Sequence, residues 1–253
     1  LINNIVVPID SSHNAIRAAF AAKTLADRFD SELHLVSAVN MVKPAFNLEE
    51  LPGGDGTDIT ILPLDKNLPL AISKFANQKQ ADLIVIGTKG NRKKSRLTSR
   101  SITAGILKNT DCPVLVLPPK YIRDHGISVP KKIMITLDGS RQSERALSFA
   151  INAVKTFKSE ITLLSVPTSH GEVKGLEKYL ETVKSFLRAK EIAAETVVEG
   201  TDPITTIPQV AEDRNIDLIF MTTRGRSGIA NVIGGSITAQ IVRTSEIPVV
   251  VVP

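Results

Sequence analysis

A disulfide framework, a zinc cluster and an aromatic stacking platform are all beyond what this sequence supplies. It holds one cysteine, Cys112, in 253 residues. That excludes an internal disulfide and fits a reducing compartment. Tryptophan is absent and aromatic residues make up 4%, so single-stranded nucleic acid would find little to stack on. The four histidines, His13, His34, His125 and His170, lie far apart with no cysteine pair beside them. Zinc-ligand spacing is therefore missing, and each reads as a surface or strand residue. The longest strongly apolar run, Ile247–Pro253, falls far short of the about 18 residues of a membrane span, so no membrane partner is expected. Leu1–Asp10 shows no basic stretch ahead of a long apolar one, so no signal peptide is expected and the setting reads as cytoplasmic. Charge of one sign is scarce too. The 31 basic and 26 acidic residues leave +5, which permits an anionic ligand without demanding nucleic acid.

What is present looks globular, with 42% hydrophobic and 23% charged residues. The length allows one large or two small domains, and an internal repeat decides for two. Ile5-Val6-Val7-Pro8-Ile9-Asp10 returns as Ile133-Met134-Ile135-Thr136-Leu137-Asp138, a spacing of 128. Ser31-Glu32-Leu33-His34-Leu35 returns as Ser159-Glu160-Ile161-Thr162-Leu163 at the same spacing. Ala81-Asp82-Leu83-Ile84, Ser101-Ile102-Thr103-Ala104 and Cys112-Pro113-Val114 return 135 residues later, after a seven-residue gain in the second copy. The Pro-rich polar join from Pro118 to Pro130 reads as a linker. The expected domains are residues 1–119 and 131–253.

Each half alternates short Ile/Val-rich runs with helical stripes. Strands are expected at Asn4–Ile9, Leu33–Val39, Ile59–Pro63, Leu83–Ile86 and Val114–Leu117, and again at Lys132–Leu137, Ile161–Val166, Glu195–Glu199, Leu218–Met221 and Val249–Val252. Apolar residues three and four apart mark helices through Ile16, Ala19 and Phe20, through Leu147, Ala150, Ile151, Val154 and Phe157, and through Leu176, Tyr179, Leu180, Val183, Phe186 and Leu187. Asn40–Gly56, rich in Pro and Gly, reads as a loop where the second half has that last helix. The alternation predicts an α/β chain: two tandem, doubly wound, five-stranded parallel-sheet domains with Rossmann-like crossovers. In such sheets the ligand crevice lies at the carboxyl ends of strands where their order reverses. If the fourth strand lies beside the first, that crevice joins Asp10 with Gly87 and Asp138 with Thr222.

In the second half Met221-Thr222-Thr223-Arg224-Gly225-Arg226 leads, through a glycine-bearing loop, to Gly235-Ser236-Ile237 at a helix start. Small residues let backbone N–H groups approach an oxyanion, and a helix N-terminus adds donors and a favourable dipole. Arg224 and Arg226 offer charge-assisted bonds to phosphate, and Ser236 offers a hydroxyl. Neither a Walker loop nor the first-strand dinucleotide fingerprint is present. Asp138 suits a ribose hydroxyl, a base amino group or a metal ion, and helix capping competes equally for Asp138 and Asp10.

These residues resemble the universal stress protein family in its tandem form, over essentially the whole chain. The family signature Gly-x2-Gly-x9-Gly-Ser/Thr maps onto Thr222, Gly225, Gly235 and Ser236, with Thr replacing the first glycine. Its aspartate after the first strand maps to Asp138, and its backbone contact to adenine maps to Val166. The first half keeps Gly87 and Gly90 but has Arg100 at the third glycine, within a basic stretch Lys89–Arg100 that carries six basic residues in twelve. It reads as a degenerate copy. The resemblance implies ATP or AMP as ligand, with Mg²⁺ left open, on Thr136, Leu137, Asp138, Val166, Met221, Thr222, Arg224, Gly225, Arg226, Gly235, Ser236 and Ile237. It also implies an intramolecular pseudo-dimer of the two halves through Val114–Leu117 and Val249–Val252, with a homodimer left open. Stress-linked regulation follows, with at most slow ATP hydrolysis, since no acid–base pair is evident for an enzyme. The competing reading is an interaction protein of the same fold without a working nucleotide site. The basic stretch reads as a solvated loop rather than a nucleic-acid contact.

Overall fold

The computed structural model describes residues 2–10, 12–38, 59–62, 67–88, 102–118, 129–223 and 237–253. The chain divides into two compact units, Leu1–Ser128 and Val129–Pro253. The loop expected over Asn40–Gly56, the basic stretch Lys89–Arg100 and most of the join after Pro118 lie outside the described residues.

Unit 1 runs β1 (Asn4–Pro8), α1 (His13–Phe29), β2 (Glu32–Ala38), β3 (Ile59–Leu62), α2 (Leu68–Gln78), β4 (Leu83–Gly87), α3 (Ile102–Asn109) and β5 (Val114–Leu117). Its strands pair in parallel in the order β3-β2-β1-β4-β5. Unit 2 runs β6 (Lys132–Thr136), α4 (Ser143–Phe157), β7 (Glu160–Ser165), α5 (Val173–Arg188), β8 (Ala194–Val198), α6 (Pro203–Asp213), β9 (Leu218–Thr222), α7 (Ile237–Thr244) and β10 (Val249–Val252). Its parallel order is β8-β7-β6-β9-β10. The expected α/β architecture is the observed one, with strand ends shifted by a residue or so.

The central strands are continuous apolar runs because helices cover both their faces. Ile5, Val6, Val7, Ile133, Met134 and Ile135 are completely buried. In each unit the chain winds outward one way from the first strand and then returns to its other side for the fourth. Crossovers before and after that reversal therefore lie on opposite faces, and a crevice opens between the first and fourth strands at their carboxyl ends.

The helices dock less simply than the stripes suggest. The buried face of α1 is made of Ala15, Ala18, Ala19, Ala22, Leu25 and Ala26, while the expected Ile16 and Phe20 are only half-buried at its flanks. Small side chains let the helix approach the sheet closely, so alanines win the centre. On α4 the expected Ile151 and Phe157 are likewise half-buried, and Ala146 and Ala153 take the core. On α5, Leu176, Leu180, Val183 and Leu187 are buried, but Phe186 is 49% exposed, with the Lys190 ammonium 4.9 Å above its ring. Helices α2 and α6, for which the sequence reading placed no stripe, begin at Asn67-Leu68-Pro69 and Asp202-Pro203. There a capping side chain accepts a backbone N–H and a proline occupies the first turn.

The repeat extends to hydrogen bonds. Asp82 Oδ2 accepts the amides of Asn3 (2.7 Å) and Asn4 (3.1 Å), and Asp217 Oδ2 accepts those of Lys131 (2.8 Å) and Lys132 (2.9 Å). Each carboxylate thus ties the start of the unit's first strand to the approach to its fourth. The helix-ending residues Asp30 and Lys158 share φ 56°, and Gln80 and Asn215 turn left-handed at φ 50° and 53°.

Candidate functional site

The crevice of unit 2 is built by three neighbouring strand ends. Thr136 closes β6, and Leu137 and Asp138 follow it; Val166 follows β7; Met221 and Thr222 close β9. Because β6 pairs with β7 on one side and β9 on the other, these residues share one edge of the sheet. Leu137 is 2% and Met221 4% exposed. Their side chains belong to the core, and only their main chain can meet a ligand. The Thr136 hydroxyl donates to the Phe220 carbonyl (3.4 Å), crossing from β6 to β9. Ile237 is the first residue of α7 and is 40% exposed rather than in the core. The next residue, Thr238, is buried and donates through Oγ1 to the Thr222 carbonyl (2.8 Å), which pins the start of α7 to the end of β9. Arg224, Gly225, Arg226, Gly235 and Ser236 lie outside the described residues.

In the turn after β6 the capping role expected of Asp138 is shared with the serine that follows it. Asp138 Oδ1 accepts both the amide (3.0 Å) and the hydroxyl (2.6 Å) of Ser140, and Ser140 Oγ in turn accepts the amide of Ser143 (3.1 Å). Gly139 adopts φ 78°, a left-handed conformation that glycine reaches without a Cβ penalty. Unit 1 repeats the device. Asp10 Oδ1 accepts the amide of Ser12 (2.9 Å) and its hydroxyl, and Ser12 caps α1 by accepting the amide of Ala15 (3.3 Å). The serine caps; the aspartate braces the serine and sits at the crevice edge.

Sequence reasoning missed the residue beneath this turn. Ser165 at the end of β7 is fully buried, and its hydroxyl donates to the Leu137 carbonyl at 2.5 Å. Ser37 does the same to the Ile9 carbonyl at 2.9 Å in unit 1. The available signal was a serine recurring at the spacing of 128 inside an otherwise apolar strand. In the sequence, Tyr179 reads only as part of an apolar stripe. Its hydroxyl is buried without a hydrogen-bond partner among the described residues, and burial, with Glu144 beside it, holds its pKa above the ordinary tyrosine value.

The Universal stress protein family model matches residues 41–118 and 130–253. This chain belongs to the universal stress protein family. A universal stress protein of Synechocystis sp. is 32% identical over 139 residues, which cover 51% of this chain and 88% of that protein. The crystal structure of a universal stress protein from Archaeoglobus fulgidus superposes with a TM-score of 0.77 at 19% identity, covering 98% of this chain and 97% of that one. That likeness establishes the tandem fold. A universal stress protein solved in complex with cAMP is 23% identical, with a TM-score of 0.39, over 50% of this chain and 98% of its own.

Within this universal stress protein the two copies of the crevice differ at the signature's first position. A Cβ on Gly87 would come within 2.4 Å of the Asn14 carbonyl oxygen, so the first turn of α1 sits directly on the end of β4. Asn14 Nδ2 also donates to the Thr88 carbonyl at 2.8 Å. In unit 1 this glycine therefore has a packing role. Unit 2 has Thr222 at the equivalent place, where a side chain is accommodated. A cleft of about 780 Å³ in unit 2 lies elsewhere, at the opposite strand ends among Lys132, Lys155, Glu160, Glu195 and Arg214.

Cys112 is buried, and burial, followed by the nearby Asp82 carboxylate, pushes its thiol up to about 12, which suppresses thiolate chemistry. His13 and His170 are exposed, and His125 lies outside the described residues. His34 on β2 meets Asn4 Oδ1 at 3.2 Å and has the Glu32 carboxylate 3.6 Å away. Among the described residues no helix is long and apolar enough to cross a membrane.

Proposed function

We propose that this universal stress protein binds an adenine nucleotide, ATP or AMP, in unit 2, and that it acts as a nucleotide-linked regulator in a stress response in the cytoplasm. In this reading residues 131–253 form the nucleotide domain, and residues 1–119 form a copy whose site has degenerated at Arg100. The observation that carries it is the strand order. With β6 beside β9, Asp138 and Thr222 end adjacent strands at the reversal point, and the signature Gly225-x9-Gly235-Ser236 connects β9 to α7. The residues suit the ligand chemically. Main chain near Thr136 and Val166 lies where adenine would sit, with Leu137, whose amide and carbonyl are bonded to Leu164 and Ser165, forming the floor beneath it. Asp138 offers a carboxylate to ribose hydroxyls. Gly225, Gly235, Ser236 and Ile237 offer amides, and Arg224 and Arg226 offer guanidinium groups, to the phosphates. Mg²⁺ would come with those phosphates. The reading assigns binding and no rapid turnover.

The test is the melting temperature of the full chain with and without ATP and Mg²⁺. A ligand that binds only the folded state raises stability by about 2.7 kcal/mol at a hundredfold excess over Kd. The expected result is an ATP-dependent rise that Gly235→Arg, which copies Arg100 of unit 1, abolishes. A wild-type protein with no rise at millimolar ATP overturns the reading in favour of an interaction protein without a nucleotide site.

A further inference from the structure

The hydroxyl of Thr238 joins two points that lie far apart in the chain. Thr238 is the second residue of α7 and is 7% exposed, and its Oγ1 donates to the Thr222 carbonyl at 2.8 Å, sixteen residues back. Elsewhere in the helices Thr24, Thr182 and Thr244 spend their hydroxyls locally, on the carbonyl four residues before them. Thr238 instead reaches out of its helix to the last residue of β9. The bond therefore closes the stem of the whole stretch that carries Arg224, Gly225, Gly235 and Ser236. Tying the ends of such a stretch in advance lowers the ordering cost that remains for a ligand.

Unit 1 has the same threonine and lacks the bond. Thr103 stands 135 residues before Thr238, as the second residue of α3. It is half-buried, and among the described residues its side chain makes no hydrogen bond. Other contacts hold this part of unit 1. Asn14 Nδ2 on α1 donates to the Thr88 carbonyl at 2.8 Å, which ties the residue after β4 to α1. A Cβ on Gly105 would lie 2.5 Å from Pro69, so α3 packs tightly on α2, whereas unit 2 has Gln240 in place of that glycine. A bond needed only for packing should recur with the threonine. It occurs in the copy that keeps Gly235 and is missing from the copy with Arg100.

We propose that Thr238 is a positioning residue for the phosphates in unit 2: its hydroxyl clasps the two ends of the signature stretch and holds the first turn of α7 against the end of β9 before a ligand arrives. This rests on the nucleotide reading above. Thr238 acts through the main chain and touches no ligand. The clasp spans the phosphate side of the site and leaves out the main chain near Thr136 and Val166, where adenine would sit. Its effect should therefore depend on the ligand having phosphates.

The experiment titrates full-length wild type, Thr238→Val, Thr238→Ser and Thr103→Val calorimetrically with ATP and Mg²⁺ and, by displacement of ATP, with adenosine; each protein is also melted without ligand. Thr238→Val deletes the hydroxyl and keeps the branched shape. Its ATP affinity should fall about three- to tenfold, the worth of one neutral hydrogen bond, while its adenosine affinity stays at the wild-type value. Thr238→Ser should restore ATP affinity, and Thr103→Val should leave both ligands unaffected. If Thr238→Val melts lower but keeps the wild-type ratio of ATP to adenosine affinity, the bond is purely structural; this inference is overturned and the nucleotide reading stands. Equal losses for the two ligands, or a loss of ATP affinity in Thr103→Val as large as in Thr238→Val, overturn it as well. Should Thr238→Val not fold, Thr238→Ala is judged by the same ratio. A wild type that does not bind ATP removes the nucleotide reading and this inference together.

Discussion

Replacing Ser165 by Ala removes one oxygen from the floor of the candidate site. The bond it deletes is short, 2.5 Å from Oγ to the Leu137 carbonyl, and Ser165 is 0% exposed. Water cannot take the vacated place without opening the core. The loss therefore exceeds the ~1 kcal/mol net worth of an average hydrogen bond and approaches the about 1–3 kcal/mol of a stranded buried carbonyl. For a unit the length of Val129–Pro253, about 4 °C of melting temperature corresponds to each kcal/mol, so a drop of roughly 4–12 °C is expected. Urea titration should show a lower midpoint at unchanged slope, since the surface exposed on unfolding stays the same. Leu137 carries the main chain into Asp138, so the ATP-dependent rise should shrink as well. Ser37→Ala breaks the equivalent 2.9 Å bond to Ile9 in unit 1. It should cost comparable stability and leave the ATP-dependent rise intact. A Ser165→Ala protein within about 0.5 kcal/mol of wild type would refute the reasoning, because a paired buried carbonyl would then be worth no more than a solvated one.

Three further outcomes follow from the packing and the titrating groups. Gly105→Ala should lower the urea midpoint although alanine favours helix, because its Cβ would lie 2.5 Å from two Pro69 carbons, and such overpacking costs about 1–3 kcal/mol. Cys112, with its thiol pushed up to about 12, should react with iodoacetamide at pH 8 far more slowly in the native protein than in urea; equal rates would contradict its burial. Burial, the largest influence, lowers the His34 pKa below the ordinary value, partly opposed by Glu32, so folding favours the neutral ring. That contribution is fully present above about pH 6.5 and is lost as pH falls through the lower folded value. His34→Gln should flatten this acid-side decline in a pH series of urea midpoints, and an unchanged slope would count against it.

Much of the architecture was legible because it is written locally. The constant spacings of 128 and 135 identify two copies, and alternation of Ile/Val runs with amphipathic stripes implies two parallel sheets. The helices were less legible. An alanine-rich face such as that of α1 carries little hydrophobic contrast, so Ile16 and Phe20 looked central when the close approach of Ala18, Ala19 and Ala22 to the sheet is what buries the helix. Helix α6 offered Asp202-Pro203 as a start signal, but Pro208 inside it interrupted the pattern. At the candidate site the sequence singles out Asp138 and Thr222 by their places after strands, and Val166 comes only from the family resemblance. It was blind to Ser165 and to the hydroxyl of Tyr179, since a polar atom in an apolar run says nothing about its partner until the chain is folded.

The linear order of residues alone determined that the protein is a tandem repeat, that each copy alternates strand and helix, and that an aspartate follows the first strand of each. These follow from periodicities of a few residues and from self-similarity, which need no knowledge of distant neighbours. Only the tertiary structure decided that the fourth strand lies beside the first, that Gly87 is required by the Asn14 carbonyl, and that a buried serine holds the main chain ahead of Asp138. Each of these depends on groups dozens of residues apart meeting at bonding distance, and that is set by how sheets and crossovers pack rather than by any local pattern.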